Sequence, residues 1–284
     1  MDKRLKVLVI CHKMDDNTRT QSPYFPIQVG AELHPELDLG FQKDNVGDNI
    51  SSRNANWCEL TGIYWGWKNI KDVDYIGVCH YRRYFDIKMD VDSISHYLNK
   101  CDIIVADGGK MVDRSSRARN LMWMTSQEDT YLFIDTLLSM YPKFKDSIYK
   151  YFYDSRFSYP FTMFITRKEL YDDYCNFIFP VLFTVEKKLK NHDYTRLKRT
   201  IGYFGEWSLG LYVLCMKKKA CPVPVVQLGV IGGNCSKLKQ YVKCLRNKFL
   251  SLAISSLNPI PPKIIVPEAV KVGLKADGIE LEVL

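Results

Sequence analysis

Apolar positions along this chain fall into two kinds of stretch, short and mostly apolar runs and longer segments with helical spacing. The runs at residues 6–11, 75–79, 101–106, 161–165 and 223–228 have the look of strands covered on both faces. Between them, Trp57, Leu60, Tyr64 and Trp67 recur on one face and predict a helix over residues 57–70, with Asn56 as N-cap and Glu59 closing a capping box. Gly62 and Gly66, one turn apart, give that helix a smooth strip for close approach. Two more boxes, Thr125 to Glu128 and Thr166 to Glu169, predict helices near 126–140 and 167–190, the second kinked at Pro180. The segment 199–219 carries a further apolar helix, with Gly202, Gly205 and Glu206 at its start. Strands alternating with helices imply an α/β sandwich. The polar stretch from residue 12 to about 50 reads as a long loop. Its part 45–50 has the turn chemistry of an ordered ligand loop.

The most informative change of pattern comes at residue 80. Five apolar or small residues, 75–79, give way abruptly to His80, Arg82 and Arg83. Ligands of open α/β sheets collect beyond the carboxyl ends of strands, and an arginine fork matches phosphate oxygens. The bland alternative pairs one arginine with Asp86 or Asp74 and leaves the other in solvent. The first strand likewise ends in polar His12 and Lys13. Neither G-x-x-x-x-G-K-[ST] nor a G-x-G-x-x-G after the first strand is present, so a bound nucleotide would rest on arginines and a loop without the usual glycines.

Composition narrows the class. With 46% hydrophobic and 13% aromatic residues the chain is a folded, core-forming one. Its 284 residues suit a main domain over 1–228 and an appendage over 229–284. There is no apolar run of about 18 residues, and the N-terminus enters a strand without a signal-peptide core, which predicts a cytoplasmic protein. Nine cysteines without a C-x-x-C pair read as reduced core residues. The net charge of +8 is concentrated late, at Lys217, Lys218, Lys219, Lys237, Lys239, Lys243, Arg246 and Lys248. Residues 236–257 therefore predict a basic amphipathic helix, either lying on an anionic inner-membrane surface or packed on the domain. No recognition motif accompanies the charge, so nucleic acid is not an expected partner. The basic loop 114–119 reads as a lid over an anionic ligand or as a solvated surface loop.

Several segments together resemble a known family. Lys6 to Lys13, the stretch 44–51, Asn56 to Asn69 with its Glu-Leu-Thr and Trp-Lys-Asn, Asp74 to Phe85 with its His-Tyr-Arg-Arg-Tyr-Phe, the Met-Phe-Ile of 163–165, Tyr174-Cys175 and Gly202-Tyr-x-x-Glu206 are similar to bacterial capsular and exopolysaccharide glycosyltransferases. These are grouped as domain of unknown function 4422, with galactofuranosyltransferases among them. The resemblance spans roughly residues 5–225. It implies a GT-A-like nucleotide-sugar-binding domain, α/β with a mostly parallel mixed sheet flanked by helices. It also implies a UDP-sugar donor and a glycan or lipid-linked oligosaccharide acceptor.

Transfer with loss of a nucleoside diphosphate requires charge at the leaving group, a hold on the donor and, for inversion, a carboxylate base. The resemblance places Arg82 and Arg83, with His80, where many such enzymes hold a metal, so no cofactor is required. Mn²⁺ or Mg²⁺ on Asp90 and Asp92 is the alternative, although Asp90-Val-Asp92 also reads as a helix N-cap. Glu206 is the expected base, with Asp193 its rival. His12, Lys13, Asp44, Asp48, Asn49 and Asn69 are assigned to the donor pocket, with Trp65 or Trp67 as a stacking surface if they are not core. Tyr203 and Trp207 are assigned to the acceptor side, although Trp207 stands where the family commonly has arginine. Galactofuranose is the expected sugar. A pyranose from UDP-galactose or UDP-glucose, and a non-enzymatic protein binding anionic membrane surfaces, are the competing readings.

Overall fold

A computed structural model describes residues 4–108, 116–154, 159–190, 199–229, 242 and 264–284. The chain divides into two units, Met1–Gly108, Tyr159–Phe179 and Gly205–Gly229 in the first, and Gly109–Ser158, Pro180–Phe204 and Val230–Leu284 in the second.

The first unit is built on a mixed sheet. Strand β1 (Leu5–Cys11) pairs in parallel with β2 (Tyr24–Gln28) on one side and β4 (Tyr75–His80) on the other, and β2 pairs in parallel with β3 (Gln42–Lys43). Beyond β4 the sheet continues through β7 (Phe164–Arg167), β6 (Ile103–Ala106) and β8 (Ala220–Val223), with β7 antiparallel to both neighbours. A short spur, β5 (Arg83–Phe85) and β9 (Val225–Gln227), folds off the end of β4.

Alternation along β1 assigns its two faces. Val7, Val9 and Cys11 belong to a buried cluster with Ile94 and Leu98 of α3 (Val91–Leu98). Leu8 and Ile10 point to the other face, where α2 (Leu60–Asn69) lies so close that a Cβ on Gly62 or Gly66 would fall 2.6 Å from Ile10 Cδ1 or Leu8 Cδ1. The glycine strip therefore serves side chains of the sheet, not another backbone.

Several boundaries differ from the sequence expectation. Residues 12–50 contain β2 and β3, which periodicity misses because one carries Pro26 and the other has two polar residues. The helix expected over 57–70 is two, α1 (Asn54–Trp57) and α2, broken at Cys58 with φ 53°. Asn56 is thus no cap, and Glu59 closes no box. Residues 161–163 form a tight turn before β7, and the late strand is the pair β8 and β9. Ser126, not Thr125, caps α5 (Gln127–Met140), its Oγ accepting from Asp129 N–H at 2.9 Å. Thr166 lies inside β7, its hydroxyl donating to the Asp102 carbonyl, and α7 (Lys168–Lys188) runs through Pro180.

In the second unit, Phe133 of α5 stacks on Phe204 with ring centres 4.4 Å apart. Asp135, fully buried, accepts the backbone N–H groups of Glu282, Val283 and Leu284 at 2.8, 2.8 and 2.9 Å. The basic helix expected over 236–257 lies, apart from Val242, outside the described residues. Among the described residues no helix is long and apolar enough to cross a membrane. The seven described cysteines, Cys11, Cys58, Cys79, Cys101, Cys175, Cys215 and Cys221, are free thiols.

Candidate active site

The parallel strands β1 and β4 bring Cys11 and His80 to the same end of the sheet, and β7, running the other way, begins there. The turn leading into β7 holds Phe161 at φ 69°, ψ 7° and Thr162 at φ 52°. Two successive non-glycine residues in the left-handed region cost about 1–3 kcal/mol each and persist only where their surroundings impose the conformation.

Here the surroundings do. His80 Nε2 lies 2.6 Å from the Phe161 carbonyl, a contact that assigns the ring proton to Nε2. The Phe161 N–H donates to Glu206 Oε1 at 3.0 Å, and the Thr162 hydroxyl donates to Glu59 Oε1 at 3.1 Å. The Phe161 ring lies 4.3 Å from the centre of the Arg83 guanidinium.

Glu206 is delivered by α8 (Thr200–Cys215), which approaches α2 at Gly205, where a Cβ would fall 2.5 Å from Leu60 Cδ1. Burial raises the Glu206 pKa above the usual carboxylate range and the Glu59 charge adds to this, while the Phe161 N–H, His80 and Arg83 oppose. Burial also lowers the His80 pKa, with the Arg83 charge acting in the same direction and the Phe161 carbonyl and Glu206 against it. A carboxylate with raised basicity beside an imidazole and a guanidinium can accept a proton while an anion is held nearby.

The two arginines have different situations. Arg82 is paired: its Nε and Nη2 lie 2.6 and 2.5 Å from Asp15 Oδ2. The same carboxylate accepts the side-chain and backbone N–H groups of Asn17, and these bonds, followed by Arg82, hold the Asp15 pKa at about 2. Arg83 makes no ion pair among the described residues, and its buried Nε has no hydrogen-bond partner there. The partner of the paired arginine is Asp15, not Asp86 or Asp74.

The other expected site residues divide between the sheet end and the packed loops around it. His12 and Lys13 are exposed just past β1, the His12 ring edge-on to Tyr81 at 5.2 Å. Asp44 is fully buried and accepts from Gly30 N–H, Ala31 N–H and the Ser51 hydroxyl, so its acceptors are used within the fold. Asn69 Nδ2 donates to the carbonyls of Asp48 and Trp65, and its Oδ1 accepts from Asp48 N–H. Tyr64 OH donates to the Asp48 carboxylate, and Asn49 folds onto Gly47 and Ser51, so these residues tie the 45–50 loop to α2. Trp65 donates Nε1–H to the Val46 carbonyl and stacks on Phe25, and Trp67 stacks on Phe179. Both are packing residues.

Asp90 is the N-cap of α3, accepting from Ser93 N–H at 2.8 Å, and it lies 2.6 Å from Lys88 Nζ; Asp92 sits in the first turn of that helix. Among the described residues no three His, Cys, Asp or Glu side chains are grouped to hold a metal ion. Tyr203 and Trp207 are half-buried on α8, and Asp193 lies outside the described residues. Sequence reasoning does not single out Glu59, Phe161, Thr162 or Asp15 as site residues. Glu59 imitates a helix cap, and the turn at 161–162 contains no glycine to reveal its conformation.

The structure is similar to the apo structure of the WbbM bifunctional glycosyltransferase, with a TM-score of 0.72 and 22% identity over 80% of this chain. The match spans 46% of that protein's length. The likeness establishes a GT-A-like α/β fold. No curated protein matches the chain significantly. A family model described as Domain of unknown function (DUF4422) matches residues 6–219, most of the chain, and the protein belongs to that family.

Proposed function

We propose that this protein is an inverting glycosyltransferase that moves a sugar, galactofuranose from UDP-galactofuranose, onto a lipid-linked or growing cell-surface polysaccharide. Glu206 takes the proton of the acceptor hydroxyl, whose oxygen forms the new bond to the anomeric carbon. The bond from that carbon to the diphosphate oxygen breaks, and its electron pair leaves with UDP. Arg83 meets the charge on the departing diphosphate, with Arg82 beside it, in the role a divalent cation fills in other enzymes. A lipid-linked acceptor places the reaction at the inner face of the cell membrane.

One observation carries the reading: a carboxylate of raised basicity and a guanidinium with no acid partner among the described residues converge on the same left-handed turn at the carboxyl end of the sheet. The deciding experiment compares wild type with Glu206→Gln, measuring UDP release from UDP-galactofuranose, UDP-galactose and UDP-glucose with an acceptor present. Loss of general-base catalysis lowers turnover by about 10²–10⁴-fold with UDP binding kept. Unchanged turnover in the variant removes Glu206 from the chemistry, and no UDP release from any donor removes the transferase reading.

A further inference from the structure

The break between α1 and α2 gives up what could be one continuous helix. It is a built feature: Asn54 Nδ2 donates to the Cys58 carbonyl at 2.8 Å and to Thr61 Oγ1 at 2.9 Å, and the Thr61 hydroxyl donates to the same carbonyl. Cys58 at φ 53° is a strained position for a residue with a Cβ. The next residue, Glu59, stands at the N-cap of α2 yet makes no side-chain cap bond. Its carboxylate instead accepts the hydroxyl of Thr162, a residue 103 positions away. Thr162 is fully buried, and a β-branched residue at φ 52° keeps that conformation only where something holds it.

We infer that Glu59 is a positioning residue of the same site, acting through Thr162 on the left-handed turn and through its charge on Glu206. The inference rests on the base assignment above and extends it to a second carboxylate. The groups that act on Glu206 come from four places: Glu59 at the start of α2, His80 on β4, Arg83 on β5 and the dipole of the Phe161 N–H. Glu59 is the one negative charge in this set. It favours the protonated form of Glu206, whereas His80, Arg83 and the N–H favour the carboxylate. With Glu59 removed, Glu206 becomes a weaker base that ionises at lower pH.

Two variants separate charge from bonding. Glu59→Gln keeps an oxygen that accepts the Thr162 hydroxyl and loses the charge. Glu59→Ala loses both. The measurement is the titration of the Glu206 carboxyl in the full chain, read by NMR on protein labelled at the glutamate carboxyl carbon. The Glu206 signal is the one missing in Glu206→Gln. Turnover against pH is recorded on the same samples.

The expected result for Glu59→Gln is a titration midpoint and an acid limb of the rate profile both moved to lower pH, with the fold intact. Glu59→Ala shows the same midpoint shift and in addition a loss of turnover of about 100-fold from the misplaced turn, which Glu59→Gln largely restores. A Glu206 midpoint unchanged in both variants overturns the inference, whether or not the chain turns over any donor. A midpoint that shifts in a protein whose Glu206→Gln variant is fully active would leave the pairing standing and refute the base assignment.

Discussion

At the scale of single residues, the adjacent arginines Arg82 and Arg83 should separate cleanly in experiment. Arg83 has an open fork, and charged hydrogen bonds are worth about 1.5–3 kcal/mol, so Arg83→Ala should weaken UDP binding by roughly 10–100-fold in calorimetry. Arg82 is engaged with Asp15, which also holds Asn17, and Tyr84 fixes the same segment by accepting Arg19 N–H and donating to the Asn17 carbonyl. Arg82→Ala should therefore loosen residues 15–19 first and affect UDP less than Arg83→Ala; equal losses from both would contradict the difference drawn between them. The pH dependence has a definite sign. Asp15 titrates near 2 in the folded chain, below the ordinary carboxylate value, so its contribution is complete above that ordinary value and disappears as pH falls toward 2. The difference in urea stability between wild type and Arg82→Ala should be flat from about pH 5 to 8 and shrink only in acid.

At the scale of elements, Gly205 shows why some of the site is built from absences. Glycine inside a helix costs about 1 kcal/mol relative to alanine, yet at Gly205 a Cβ would meet Leu60 Cδ1, Cδ2 and Cγ at 2.5, 2.7 and 2.9 Å. Gly205→Ala should gain that propensity and lose about 1–3 kcal/mol to overpacking, a net fall in the urea midpoint, and should lower turnover by displacing Glu206 from Phe161. A more stable and fully active variant would show that the contact relaxes freely. The same elements mark how far the sequence could be read. His80, Arg83 and Glu206 were legible because each is a polar residue interrupting an apolar segment. Glu59 was visible but misassigned, since Asn56 and Glu59 have the spacing of a local cap while the true partner, Thr162, is distant in sequence. The Phe161–Thr162 turn was illegible: a left-handed pair without glycine is imposed by His80, Glu206 and Glu59, and nothing local announces it. The strands β2 and β3 were missed because short, partly polar strands are stabilised by pairing with their neighbours rather than by their own periodicity.

At the scale of the whole molecule, the site exists only when the sheet is complete. Its members run from Glu59 through His80, Arg83 and Phe161 to Glu206, and it takes the β4–β7 pairing and the approach of α8 to α2 to assemble them. An unfolded chain has no such arrangement, so a nucleotide that binds here binds the native state alone and must stabilise it. At a UDP concentration of about 100 times Kd the stabilisation is about 2.7 kcal/mol, or roughly 5–10 °C in the melting temperature of a chain this size. If arginine charge serves in place of a metal, the shift should be the same in EDTA as with Mn²⁺ and should fall sharply in Arg83→Ala. It should also decline with added salt, because salt screens the attraction between the diphosphate and the guanidinium. A shift that appears only with Mn²⁺ would instead place a cation in the donor site and make Arg83 an accessory to it. A chain that UDP fails to stabilise under any of these conditions would not be using the sheet end for a uridine nucleotide, however closely its fold follows that of a glycosyltransferase.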